Sequence, residues 1–276
     1  MAASRNRAAR RGRRRRWWPS AQRRRRWWRG FRRLPKAGQF VAALSAAVLL
    51  FVVVNFVYQV VRKPSELFFP VSGALNKTPG ETWRQYSQIF NRYSTGVITP
   101  TFLAAIAQVE GSGNPVARTY WRWTWTSQPF EIYRPASSSV GMYQMTDGTF
   151  AEARRYCIHN HAVVEQGAWN DWHACWFNGL YARILPSDAA ELTSAYLDWH
   201  VARILQTHHA GARTLQQKQD LAALIHLCGA GAGDEFARHG FRLAEGQRCG
   251  EHEARIYLAR VSAAEREFER LAQNGV

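Results

Sequence analysis

The sequence predicts a mainly α-helical domain with a small extended insertion, set behind one membrane-length apolar helix and a basic arm. Three observations carry this expectation. Helix-opening residues recur from Thr78 to the C-terminus, each followed by apolar residues at three- and four-residue spacing. Phe40 to Val61 is a run of 22 residues without a charge. The net charge of +17 is gathered at one end: residues 1–36 hold 15 Arg, one Lys and no acid, whereas the residues after Pro64 hold 19 basic and 20 acidic side chains. That split excludes a globular body gripping a polyanion over its whole surface. With 46% hydrophobic and 13% aromatic residues, disorder throughout is excluded as well.

In the arm, Arg13 to Arg16 precede Trp17-Trp18, and Arg23 to Arg26 precede Trp27-Trp28, an approximate duplication with no apolar periodicity. Residues 1–38 are therefore read as a disordered basic tail. A helix over 39–62 rises 1.5 Å per residue and spans roughly the 30 Å hydrocarbon core of a bilayer. No small-residue cleavage site follows it; Arg62, Lys63 and Pro64 do, which reads as a signal anchor. The charge bias puts the N-terminus in the cytoplasm and the rest of the chain outside. Arg in the tail then neutralises anionic lipid headgroups, at about 1 kcal/mol per charge, and Trp favours the interface. Nucleic acid and a cytoplasmic protein are weaker candidates as partners of the tail.

Residues 63–80 are expected to be a linker and 81–276 the outer domain. Thr78-Pro79-Gly80-Glu81 is a capping box, with Trp83, Tyr86, Phe90 and Tyr93 on one face behind it. Thr99-Pro100 opens a helix whose stripe is Leu103, Ile106, Ala107 and Glu110. Thr146-Asp147 opens one through Phe150, Ala153 and Cys157. Asp188 and Glu191 cap the next, and Thr214 with Gln217 cap another through Leu224 and Cys228, which Gly229 ends. A last helix from about Glu251 carries Tyr257, Val261, Ala264, Phe268 and Leu271. One stretch departs from this spacing. Tyr120 to Thr126 alternates with period two, which predicts a strand with Trp121, Trp123 and Trp125 on one face, suited to stacking on sugar rings or to filling a core.

All four cysteines fall outside the membrane, where an even count suggests two disulfides. Pairing of sequence neighbours, Cys157–Cys175 and Cys228–Cys249, is expected, each closing a loop of roughly 20 residues worth about 3 kcal/mol; four free thiols are the alternative. No His pair stands near a Cys or carboxylate at ligand spacing, so no metal and no cofactor are expected.

Glu110 shares its stripe with apolar residues and sits at a helix C-terminus, where the macrodipole disfavours anions. Both effects favour the protonated acid, the form needed by a general acid in glycosidic cleavage. A lone Glu at a helix end is also an ordinary structural residue.

Its surroundings narrow the choice. Glu110-Gly111-Ser112-Gly113-Asn114-Pro115 resembles the Glu-Ser-x-x-Asn-Pro signature of the soluble-lytic-transglycosylase-like domain, glycoside hydrolase family 23. Gly141-Met142-Tyr143-Gln144 through Thr149 is similar to that family's Gly-Leu-Met-Gln-x-x-Pro-x-Thr segment, and Ile225-His226-Leu227-Cys228-Gly229-Ala230-Gly231 to its Ala-Tyr-Asn-Ala-Gly-Pro-Gly segment. The motifs keep their order over roughly residues 83–240. The resemblance implies a lysozyme-like helical fold in a bacterial periplasm, anchored to the inner membrane through 39–62. It also implies cleavage of peptidoglycan between N-acetylmuramic acid and N-acetylglucosamine with formation of a 1,6-anhydro end, Glu110 being the single acid and base. Gly141, Met142, Tyr143 and Gln144 would hold the N-acetyl group, and His226 stands where the family's tyrosine approaches the catalytic carboxylate. Gly111 replaces a serine, Leu227 an asparagine and Asp147 a proline, and the Trp-rich stretch is an addition. Three readings remain open: lytic transglycosylase, lysozyme-type hydrolase on the same fold, and a non-catalytic wall-binding scaffold of an envelope-spanning apparatus.

Overall fold

A computed structural model of the chain describes residues 28–68, 71–167, 171, 174–210 and 212–275. The duplicated Arg/Trp blocks apart from Trp28, and with them most of the arm expected to be disordered, lie outside these residues; 28–32 form a helical turn. The chain is mainly helical, with 62% helix and 9% strand, and divides into two compact units, 1–57 and 58–276.

The helices are α1 (Lys36–Arg62), α2 (Pro79–Arg92), α3 (Pro100–Gly111), α4 (Asp147–Ala153), α5 (Pro186–Thr207), α6 (Leu215–Cys228), α7 (Ala230–Arg238) and α8 (Ala254–Gln273). At 27 residues α1 is long and apolar enough to cross a membrane, and only 6% of its most apolar window is buried. Among the others, α3 is distinctive because Phe102 to Ala107 are all buried. A helix apolar all round has no solvent side. It therefore runs through the core, packed chiefly on α8 and α2, rather than presenting the single stripe expected of it.

Sequence punctuation sets most of the helix starts. Thr78 and Glu81 exchange backbone N–H bonds as a capping box, as do Thr214 and Gln217, while Thr99 and Thr146 cap α3 and α4. At α5 the expectation fails. The helix opens at Pro186, because Asp188 accepts the Ala182 N–H and Glu191 is turned inward to the Tyr181 hydroxyl and the Ile158 N–H. Helix α4 ends at Ala153, so Cys157 belongs to a strand.

Among the described residues three small antiparallel pairs complete the fold: β1 (Trp121–Trp123) with β2 (Tyr133–Pro135), β3 (Tyr156–His159) with β4 (Ala162–Glu165), and β5 (Arg248–Cys249) with β6 (His252–Glu253). The β1 strand is shorter than the alternating stretch that predicts it, which leaves Trp125 beyond its end. Cys157 pairs with Cys175 and Cys228 with Cys249, at Cα separations of 5.4 and 5.3 Å, within the disulfide range. The second bridge ties the end of α6 to β5.

The described residues of 63–80, read from the sequence as a linker, are folded into the second unit. Pro64–Phe68 and Ser72–Leu75 form 3-10 turns. Glu66 is fully buried, with Lys63 at 3.3 Å, Arg118 at 3.1 Å and the Trp121 indole N–H donating at 2.8 Å. Burial lowers the Lys63 ammonium's pKa, and Glu66 opposes that shift. A buried carboxylate persists only with such partners, so this segment has a defined seat on the hairpin.

Candidate active site

Glu110 occupies the last turn of α3. Ser112 adopts a left-handed conformation (φ 51°), and the Gly113 N–H reaches back to the Ala107 carbonyl at 3.1 Å, so the helix stops one residue after the carboxylate. Asn114 then fixes the exit. Its buried amide donates to the Ser72 carbonyl at 2.5 Å and to Asn76 Oδ1 at 2.8 Å, while its oxygen accepts the Val116 N–H at 3.0 Å. The chain so held lines a cleft of about 360 Å³ whose wall includes Ser72, Asn76, Glu110, Ser112, Thr119 and Tyr120. Glu110 is the one carboxylate among the described residues of that wall. Its side chain keeps 18% of its surface exposed.

Behind the cleft, two other helices converge on the same carboxylate oxygen. The Tyr257 hydroxyl of α8 donates to Glu110 Oε1 at 2.6 Å. His226 Nε2 of α6 stands 3.6 Å from Oε1, beyond hydrogen-bond length but within ion-pair reach when the imidazole is protonated. Tyr257 is buried, and burial first, then the Glu110 charge, hold its phenol well above its ordinary pKa. It stays a proton donor and cannot compete as a base. His226 is thus beside Glu110 as the resemblance implies, but the short contact belongs to Tyr257. Sequence spacing gives Tyr257 only as one member of the apolar stripe of α8, 147 residues away. Its single signal is a hydroxyl among otherwise hydrocarbon positions.

The 141–144 turn differs from expectation in how it works. Met142 and Tyr143 are 0% and 1% exposed and belong to the core, so their side chains are not available to a sugar. The Gln144 amide donates to the Ala117 and Gly141 carbonyls at 3.1 and 2.8 Å, which engages both of its N–H groups in bracing the turn. Gly141 has φ 81°, and a Cβ there would collide with the Arg183 carbonyl, so glycine is required. What the turn offers the site is backbone. The Met142 main chain lies so close to Gly111 that a Cβ at 111 would sit 2.8 Å from Met142 Cα and O. This contact requires glycine at 111.

A consequence follows for Gly111→Ala. In an exposed helix that change stabilises by about 1 kcal/mol. Here the opposing atoms are backbone, and we expect a loss of about 1–3 kcal/mol from overpacking, read as a lower unfolding midpoint.

Of the three tryptophans, Trp121 is half-buried against Tyr133 (5.1 Å between centroids), and its N–H is taken by Glu66. Trp123 stacks on Tyr133 at 4.6 Å and is 72% exposed, while Trp125 is fully exposed. None of the three lines the Glu110 cleft; Tyr120 does. Among the described residues no three His, Cys, Asp or Glu are grouped as metal ligands would be.

No protein-family model matches the chain, and no curated protein matches it.

Proposed function

We propose that this chain is a membrane-anchored peptidoglycan lytic transglycosylase, with a lysozyme-like helical domain held at the periplasmic face of a bacterial inner membrane by α1. The observation that carries the reading is a solitary carboxylate in a cleft, with one oxygen fixed by a buried phenol. Two-carboxylate glycosidases need a second acid as nucleophile or base, and this cleft supplies none from the described residues. A transglycosylase needs only one, because the substrate contributes the nucleophile.

With Oε1 taken by Tyr257, Oε2 is the oxygen left to carry the proton. Glu110 gives that proton to the glycosidic oxygen as the bond from C1 of N-acetylmuramic acid breaks, and the N-acetylglucosamine-terminated strand leaves as an alcohol. The carboxylate then takes the proton of the muramic C6 hydroxyl while that oxygen bonds to C1. This closes the 1,6-anhydro ring and returns Glu110 to its acid form. Disulfides at Cys157–Cys175 and Cys228–Cys249 suit an oxidising compartment. The motif order around Glu110, Gly141 and His226 supports the same assignment.

The decisive measurement is digestion of purified sacculi by the full chain, with mass analysis of the released muropeptides. Anhydro ends are expected. Reducing ends would make the protein a hydrolase, and binding without release would make it a scaffold.

A further inference from the structure

The loop between β1 and β2 is bound to the last turn of α1. The Gln59 amide donates to the Phe130 carbonyl at 2.7 Å, the rings of Tyr58 and Phe130 stack at 5.1 Å, and Arg62 pairs with Glu131. Glu131 is itself held by Arg134 at 2.6 Å. Tyr58 lies four residues before the end of α1, which at 1.5 Å rise is about 6 Å along its axis. The hairpin loop is therefore packed on the last turn of α1 rather than standing away from it. Its root is equally fixed, through Lys63, Glu66, Arg118 and Trp121. The same hairpin carries Trp123 and Trp125, the first 72% exposed and the second fully so. Indole rings favour the zone between headgroups and hydrocarbon, where the ring is buried and the N–H stays wet.

We propose that the β1–β2 hairpin is a membrane anchor, whose Trp123 and Trp125 enter the outer headgroup region of the bilayer that α1 crosses. This rests on the reading of α1 as a membrane span. Trp123 and Trp125 are then lipid contacts rather than sugar contacts. The membrane then contacts the hairpin as well as α1, and the wall of the Glu110 cleft continues into the hairpin root at Thr119 and Tyr120.

The test uses the full chain and a Trp123→Phe/Trp125→Phe double variant, which keeps an aromatic ring on Tyr133. In phospholipid nanodiscs, where both faces meet solvent, the emission that the variant lacks is expected to be lost with lipids brominated just below the headgroup and spared by aqueous iodide. Iodide quenching without quenching by brominated lipid overturns the proposal. So does a shift of that emission on adding N-acetylglucosamine–N-acetylmuramic acid oligosaccharides, which would return the two rings to the substrate. Alkaline carbonate washing of vesicles tests α1 separately. Protein washed off the vesicles overturns the span and this inference with it, whereas retained protein with iodide-accessible indoles overturns the hairpin's role alone.

Discussion

Glu110→Gln is expected to lower the release of anhydromuropeptides from sacculi by roughly 10³-fold or more, as removal of a general acid and base does, and to leave the fold intact. The glutamine oxygen still accepts the Tyr257 hydroxyl, so the unfolding midpoint should move by no more than about 1 kcal/mol equivalent. The amide has no proton to give to a departing sugar oxygen and cannot collect one from the C6 hydroxyl. Catalysis and stability therefore separate at this position. Wild-type turnover in the variant would overturn the assignment of Glu110. If wild type and variant both bind sacculi and release nothing, the scaffold reading stands and the enzyme reading falls.

The helices and the position of Glu110 were legible because they depend on near neighbours in sequence. Thr78, Thr99, Thr146 and Thr214 each cap a helix whose first turn they precede, and the hydrogen bond involved closes over three residues. The same local rule misplaced the start of α5. Asp188 and Glu191 have capping spacing, but their oxygens are used by Ala182, Tyr181 and Ile158, and tertiary partners outbid a local cap. The β3–β4 hairpin escaped notice because its turn is Asn160-His161, both at positive φ, in place of the Asn-Gly that usually announces such a turn. Within the site, the carboxylate and His226 were readable through motif order. Tyr257 was not, since no spacing rule links α3 to α8. The segment after α1 reads as a linker for a related reason: Glu66 is buried only because Arg118 and Trp121 arrive from more than fifty residues later.

The second large effect is expected at the other end of α3. Stability of the second unit should fall as pH rises from about 5 to 8, and Glu265→Gln should remove most of that slope. Glu265 of α8 is buried, accepting the Thr99 hydroxyl at 3.2 Å and the Gln219 amide at 3.0 Å. Those two hydrogen bonds favour the carboxylate, but burial outweighs them, and with help from Glu269 and Asp220 the carboxyl is pushed up from 4.5 to about 7. The folded state thus binds this proton more tightly than the unfolded chain does. The resulting stabilisation is complete below pH 4.5 and disappears as pH passes 7, a swing of roughly 3 kcal/mol. For a domain of this size that is about 6–12 °C in unfolding midpoint. Asp220 and Asp198, each raised by burial, add slopes of the same sign, His200, lowered by burial, adds one of the opposite sign, and all three should persist in the variant. Because Thr99 caps α3, the ionised form loads the start of the helix that carries Glu110 at its end. Above pH 8 the Glu265→Gln protein is expected to outlast the wild type on heating, and near pH 5 the two should melt together. Parallel curves across the whole range would mean that this carboxyl does not titrate between them.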